Sequence, residues 1–283
     1  MTTATAARAW VRSVAPGTST CLYWNDRAIE WAVHIDGSSR LGYERTRMAL
    51  WKSFDAWAGA ECTDLQFFEV TSVEERLVSA SSNVGENRNV ILFRPDLCED
   101  VVPPGAACLT EGGCSNEYDC FEFGRTVIAV TTTSFRPTTG EILDADIEFN
   151  EGSFVLTDGD GPPCEGGELD DSCVQTDLQN TATHEIGHLL GLDHSDQRDA
   201  TMFGSAPAGE VGKRDLSEDD IGGICAIYPA GRPATACEAS DDDPLVDGRE
   251  GCACGAGGAS AGLFGLLAWV GWSVGLRRRR RPN

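Results

Sequence analysis

The sequence predicts an α+β fold with a mixed sheet, and two observations carry that expectation. Stretches rich in branched and aromatic residues alternate with stretches of three-to-four periodicity, in the order strand, helix, four strands, helix, helix. Hydrophobic residues make up 41% of the 283, enough to bury one core of catalytic-domain size with extra segments besides.

Leu22 to Ile35 is apolar and branched and reads as the first strand. Tyr43 to Ala60 carries Met48, Trp51 and Phe54, with Leu50 and Trp57 nearby, at helical spacing, so it is expected to bury one face of an amphipathic helix. Leu65 to Val70, Asn89 to Phe93, Thr126 to Thr132 and Ile142 to Phe149 are short strands separated by Gly, Pro, Asn and Asp clusters. Pro95 to Gly124 holds Cys98, Cys108, Cys114 and Cys120 and reads as a loop pinned by disulfides. Thr157 to Cys173 is a second polar insertion, in which Cys164 and Cys173 are expected to close an acidic loop. A helix is expected to begin at Thr176-Asp177-Leu178-Gln179, with Thr176 as N-cap and Gln179 reaching back. The last helix spans Ser217 to Tyr228, and its opening Ser217, Glu218, Asp219 and Asp220 suit a helix N-terminus. There is no internal repeat.

Charge and cysteine usage narrow the function. The formal net charge is -23, and it is more negative still if the run Arg277 to Arg281 is set aside, which excludes nucleic acid as a partner. Such a surface suits solubility, divalent cations or a saline medium. Twelve cysteines, scattered singly up to the close pair Cys252 and Cys254, point to disulfides and an oxidising compartment. No C-x2-C pair is followed by a second, as a cysteine-ligated metal site would require.

The termini divide the chain. Residues 1–20 form an N-terminal segment with Arg8 and Arg12 but no apolar stretch of signal-peptide kind, so the start is expected to be truncated or misassigned. Residues 21–229 form the expected catalytic domain, and 230–254 an acidic, cysteine-containing linker. In 255–283, Gly255 to Leu276 runs without a charge for the ~20 residues a bilayer needs, and the arginine run follows it. That order places the C-terminus in the cytoplasm and everything before Cys254 outside.

The chemistry concentrates in His184-Glu185-Ile186-Gly187-His188-Leu189-Leu190-Gly191-Leu192-Asp193-His194, which holds three of the four histidines. Residues four apart on a helix share a face, so His184 and His188 can direct their imidazoles at one ion. Glu185 then lies beside the metal rather than on it, where a general base for a metal-bound water belongs. Gly191 can end the helix in a conformation that side chains disfavour and turn the chain to deliver His194. Three protein ligands leave the fourth position of a zinc ion open to water, the mark of a catalytic site. His34, in an apolar strand, reads as an ordinary packed or surface histidine.

This run resembles the signature of the metzincin metallopeptidases, and Ser195 directly after the third histidine resembles their matrixin branch. The resemblance implies a twisted, mixed five-stranded sheet with three helices, and an active-site helix followed by a Met-turn that places Met202 of Ala200-Thr201-Met202-Phe203 beneath the ligands. Also similar to matrixins are Asp144-Ala145-Asp146 in a strand ending Glu148-Phe149-Asn150, and Arg214-Asp215-Leu216 leading into Asp219-Asp220-Ile221. The likeness covers about Leu22 to Tyr228. Animal matrixins carry a second, structural zinc held largely by histidines; the corresponding strands here have none, so no such zinc is expected. Asp144 and Asp146 are candidate calcium ligands. No Pro-Arg-Cys-Gly switch precedes the domain, and Gly204-Ser205-Ala206-Pro207 stands where many matrixins have the Pro-x-Tyr that lines their specificity pocket. The last thirty or so residues resemble the C-terminal sorting tags of myxobacterial surface proteins, which implies processing near the cysteines and delivery to the cell surface or beyond.

Together these readings predict a monomeric zinc endopeptidase acting on extracellular proteins or peptides, attached to a membrane through its C-terminal segment before processing. The alternative is a non-catalytic, zinc-stabilised, disulfide-rich surface protein that binds a partner. A peptidase restricted to a single surface protein fits the same residues.

Overall fold

A computed structural model describes residues 10–78, 87–165, 172–235 and 237. The charge-free stretch 255–276, the arginine run, Cys252, Cys254 and most of the acidic linker lie outside the described residues. Among the described residues no helix is long and apolar enough to cross a membrane.

The architecture is α+β, as expected. Its main strands and helices are β1 (Ala28–Val33), α1 (Gly42–Ala58), β2 (Gln66–Glu69), β3 (Asn89–Arg94), β4 (Ala129–Phe135), β5 (Ile142–Asn150), α2 (Leu178–Leu189) and α3 (Glu218–Ile227). The five strands form one mixed sheet in the order β2-β1-β3-β5-β4. Four run parallel, and β4 pairs antiparallel with β5 at one edge. The central β3, Asn-Val-Ile-Leu-Phe-Arg, is buried along its whole length, which is why it reads as a continuous apolar run rather than an alternating one.

The faces of β5 divide by its two-residue period. Ala145, Ile147 and Phe149 join the core that receives α1 and α2, whereas Asp144, Asp146 and Glu148 point the other way. Phe93 stacks on Phe149 with centroids 5.0 Å apart, and Trp31 on Phe54 at 4.6 Å, so sheet and α1 are locked by aromatic pairs. On the polar face, fully buried Arg94 donates to Glu148 (2.5 Å), Asp119 (3.0 Å) and Asn116 (3.2 Å), fastening the sheet to the cystine loop. Disulfides Cys98–Cys120 and Cys108–Cys114 close that loop, and Cys164–Cys173 closes the polar insertion as expected. Cys62–Cys225 and Cys21–Cys237 join segments far apart in sequence. Val11–Arg12 pairs antiparallel with Leu192–Asp193, so residues on both flanks of 21–229 pack onto the domain.

Three local expectations are corrected. The buried face of α1 is Thr46, Ala49, Leu50, Ser53, Phe54 and Trp57, while Met48 and Trp51 are half exposed. The helix is rotated by the pull of Trp57, whose indole NH donates to the Thr183 carbonyl (2.8 Å) inside α2. β4 begins at Ala129 rather than Thr126, because the Asn150 side chain takes the Val127 carbonyl (2.9 Å) before the ladder starts. Thr176 does not cap α2: Thr176–Asp177 pairs in parallel with Leu156–Thr157, and Asp177 accepts the Asn180 NH (2.7 Å) instead. At α3 the expected acidic N-terminus is present as a capping box between Ser217 and Asp220.

Candidate metal centre and active site

Helix α2 runs through the core, and much of what holds it comes from other elements. Asp177 caps its first turn and is itself gripped by Arg214 through two hydrogen bonds, 2.8 and 2.5 Å. Trp57 and Ser53 donate to carbonyls of α2, and Trp24 donates to the Leu189 carbonyl (2.8 Å). With Thr181 and Thr183 inside it, the helix owes its stability to this packing more than to propensity.

His184 and His188 lie one turn apart and are buried. The helix stops at Gly191, whose φ of +87° is a conformation that L side chains rarely adopt. A Cβ there would stand 2.5 Å from the Leu22 carbonyl oxygen, so glycine is required by space as well as by φ. The turn leads through Leu192–Asp193 to His194. The Nε2 atoms of the three histidines then lie 3.1, 3.2 and 3.3 Å from one another.

The second nitrogens of His184 and His188 are committed. His184 Nδ1 donates to the Thr201 carbonyl (2.6 Å) and His188 Nδ1 to the Leu192 carbonyl (2.8 Å). That fixes both rings in the tautomer whose Nε2 is an acceptor. Burial drives the His188 pKa down to about 3 and that of His184 well below its ordinary value, keeping both neutral. The Nε2 acceptors of His184 and His188 cannot hydrogen-bond one another, and with His194 Nε2 beside them the three converge as ligands of a cation would. Ligands about 2.0–2.1 Å from a tetrahedral zinc are about 3.3 Å apart, and the observed spacing fits that ion.

The expected turn lies beneath. Met202 is buried, and a Cβ on Gly187 would fall 2.1 Å from its Sδ, so the missing side chain at Gly187 is what lets Met202 reach the helix. Asp220 holds the turn by accepting the Thr201 NH (2.7 Å) and the Met202 NH (3.0 Å). Ser195 closes it, its NH donating to the Met202 carbonyl (2.9 Å) and its hydroxyl to Asp219 (2.6 Å).

Glu185 is buried beside the histidines, and the Thr131 hydroxyl of β4 donates to its Oε2 (2.7 Å). Thr131 was not singled out by sequence; only the alternation of β4 could have pointed its side chain toward α2. Asp144 and Asp146 lie on the opposite face of the sheet, buried together, with Asp146 accepting the Val90 NH (2.8 Å). Burial pushes the Asp144 pKa up to about 7. Among the described residues, His184, His188 and His194 are the group of three or more potential ligands close enough to share a metal, and the aspartate pair gains no third. His34 is buried and bonds the Glu74 carbonyl (3.0 Å), an ordinary packed histidine.

Residues 118–229 match the matrixin family of peptidases. Among similar proteins, Metalloendoproteinase 2-MMP of Arabidopsis thaliana is 42% identical over 110 residues, 37% of this chain and 25% of its own length. Metalloendoproteinase 5-MMP of the same plant is 38% identical over 100 residues, 35% of this chain and 24% of its own length. Matrix metalloproteinase-25 of Homo sapiens is 27% identical over 208 residues, 72% of this chain and 29% of its own length. The chain thus spans less than a third of the length of these curated relatives. The matrixin-like segment contains α2, the three converging histidines, Glu185 and the turn at Met202, so likeness to metalloendoproteinases and the geometry of a zinc site coincide in the same residues.

Proposed function

We propose that the chain is a zinc-dependent endopeptidase in which His184, His188 and His194 hold one zinc ion and Glu185 is the general base. The observation that carries this reading is the convergence of three imidazoles, 3.1–3.3 Å between Nε2 atoms, beside a buried carboxylate. Zinc held by these three histidines would supply Lewis-acid chemistry, polarising the scissile carbonyl and making an attacking water more acidic, toward ~7. The Glu185 carboxylate would take a proton from the attacking water and return it to the leaving amine. Thr131 steadies the carboxylate through Oε2. An extended substrate adds to β4, which is an edge strand of the sheet, and so lies across the site.

Protein or peptide substrates outside the cytoplasm fit the five disulfides. The C-terminal segment is proposed as the membrane or sorting element, and the protein as a monomer.

Purified full-length protein should cleave casein, and a chelator should abolish cleavage. Glu185→Gln should retain zinc by metal analysis while losing at least about 100-fold in rate. A Glu185→Gln variant with undiminished activity would remove Glu185 from its role.

A further inference from the structure

A cavity of about 180 Å³ opens along the first turn of α2, and its walls come from elements already tied to the site. Asn180 and Thr181 lie one helical turn before His184 and Glu185 on α2, Ile128 leads into β4, and Ala206, Pro207 and Glu210 follow the Met202 turn. Ligand pockets are lined mostly by apolar groups with a few placed polar ones. This lining is more polar than that, with Ser153, Gln175, Asn180 and Thr181 beside two acids, and because Asp177 is paired with Arg214 the acid left to meet a ligand is Glu210.

Asn180 hydrogen-bonds the Glu210 carboxylate, but Oε2 is buried and has no hydrogen-bond partner. The nearby cations are engaged elsewhere. Lys213 Nζ donates to the Phe203 and Ser205 carbonyls, and Arg214 grips Asp177 and Asp160. Burial outweighs the attraction of Lys213 and raises the Glu210 pKa, as expected of a carboxylate short of partners. A buried acceptor without a donor is costly, and a charged donor satisfies it about twice as strongly as a neutral one. An aliphatic side chain entering the cavity would leave Oε2 dry, and an acidic one would be repelled.

We infer that this cavity receives a lysine or arginine side chain from a substrate residue flanking the scissile bond, with Glu210 as the acceptor that selects it. The inference rests on the proposed peptidase reading and names the substrate class of that site.

The test uses the full chain with zinc and a set of peptides that differ only in Lys, Arg, Leu or Glu beside the cleaved bond. Lys or Arg should be preferred over Leu by about tenfold in kcat/KM, and Glu210→Gln should collapse that ratio by a similar factor. A preference for Leu, or an unchanged ratio in Glu210→Gln, overturns the inference. Calorimetric binding of the same peptides to full-length Glu185→Gln separates the two readings. If no peptide is cleaved by the unmodified protein yet Lys peptides bind selectively and lose that selectivity in Glu185→Gln/Glu210→Gln, peptidase function fails and the basic pocket stands. Equal binding of Lys and Leu peptides, or none of either, overturns the pocket.

Discussion

Replacing Gly191 by alanine probes the turn that delivers the third histidine. A side chain at φ +87° carries a backbone penalty of about 1–2 kcal/mol. Its Cβ would also sit 2.5 Å from the oxygen and 3.1 Å from the carbon of the Leu22 carbonyl, backbone atoms that no rotamer change can move aside. Leu22 is fixed in turn, its NH donating to the Ser13 carbonyl (2.9 Å) and its carbonyl accepting from Arg12 (3.0 Å). Overpacking of this kind adds about 1–3 kcal/mol, for a total of about 2–5 kcal/mol. At roughly 2–4 °C per kcal/mol for a domain of this size, Tm should fall by about 10 °C in thermal unfolding followed by circular dichroism. Gly191→Asn separates the two causes, because asparagine tolerates positive φ but still carries a Cβ. Collision predicts that asparagine rescues little. A Gly191→Ala protein that melts within about 1 °C of the unmodified chain would refute the reasoning.

Two further perturbations follow from the same contacts. Thr131→Val keeps shape but removes the hydroxyl that holds Glu185 Oε2, so kcat should drop about tenfold while KM and zinc content stay within about twofold. Thr131→Ser should restore kcat, and an unaltered kcat in Thr131→Val would show the hydrogen bond to be idle. Asp144 should make stability fall with rising pH. Its folded pKa of about 7 lies above the ordinary 3.8, so the folded state holds the proton more tightly between these values. The penalty is absent below pH 4, grows through the interval and is complete above about pH 7, at up to about 4 kcal/mol. Asp144→Asn should therefore flatten the decline in denaturant-measured stability between pH 5 and 8, and an identical decline in the variant would refute the assignment.

The three converging histidines are legible in the sequence because their geometry is mostly local. A four-residue helical spacing, a glycine stop and a third histidine three residues later leave little freedom, and the Ser217 cap of α3 is equally local. Misread positions depend on partners distant in sequence. The N-cap of α2 moved by one residue because Thr176 is drawn into pairing with Leu156, twenty residues earlier. The phase of α1 follows Trp57 reaching Thr183, and both Met48 and Trp51 are as apolar as the residues that won. In the sequence Thr131 is one β-branched residue among several and Glu210 one acid among many. Only the packing of β4 and the post-Met202 chain against α2 gives either a task.

The central claim is that His184, His188 and His194 bind one divalent ion. Metal analysis of the folded full-length protein, with zinc titrated back after chelation, tests it most directly. One zinc per chain is expected, with Tm rising as zinc is added and uptake lost in His194→Ala. A folded, unmodified protein that takes up no zinc, or a His194→Ala variant that binds it as tightly, would contradict the account.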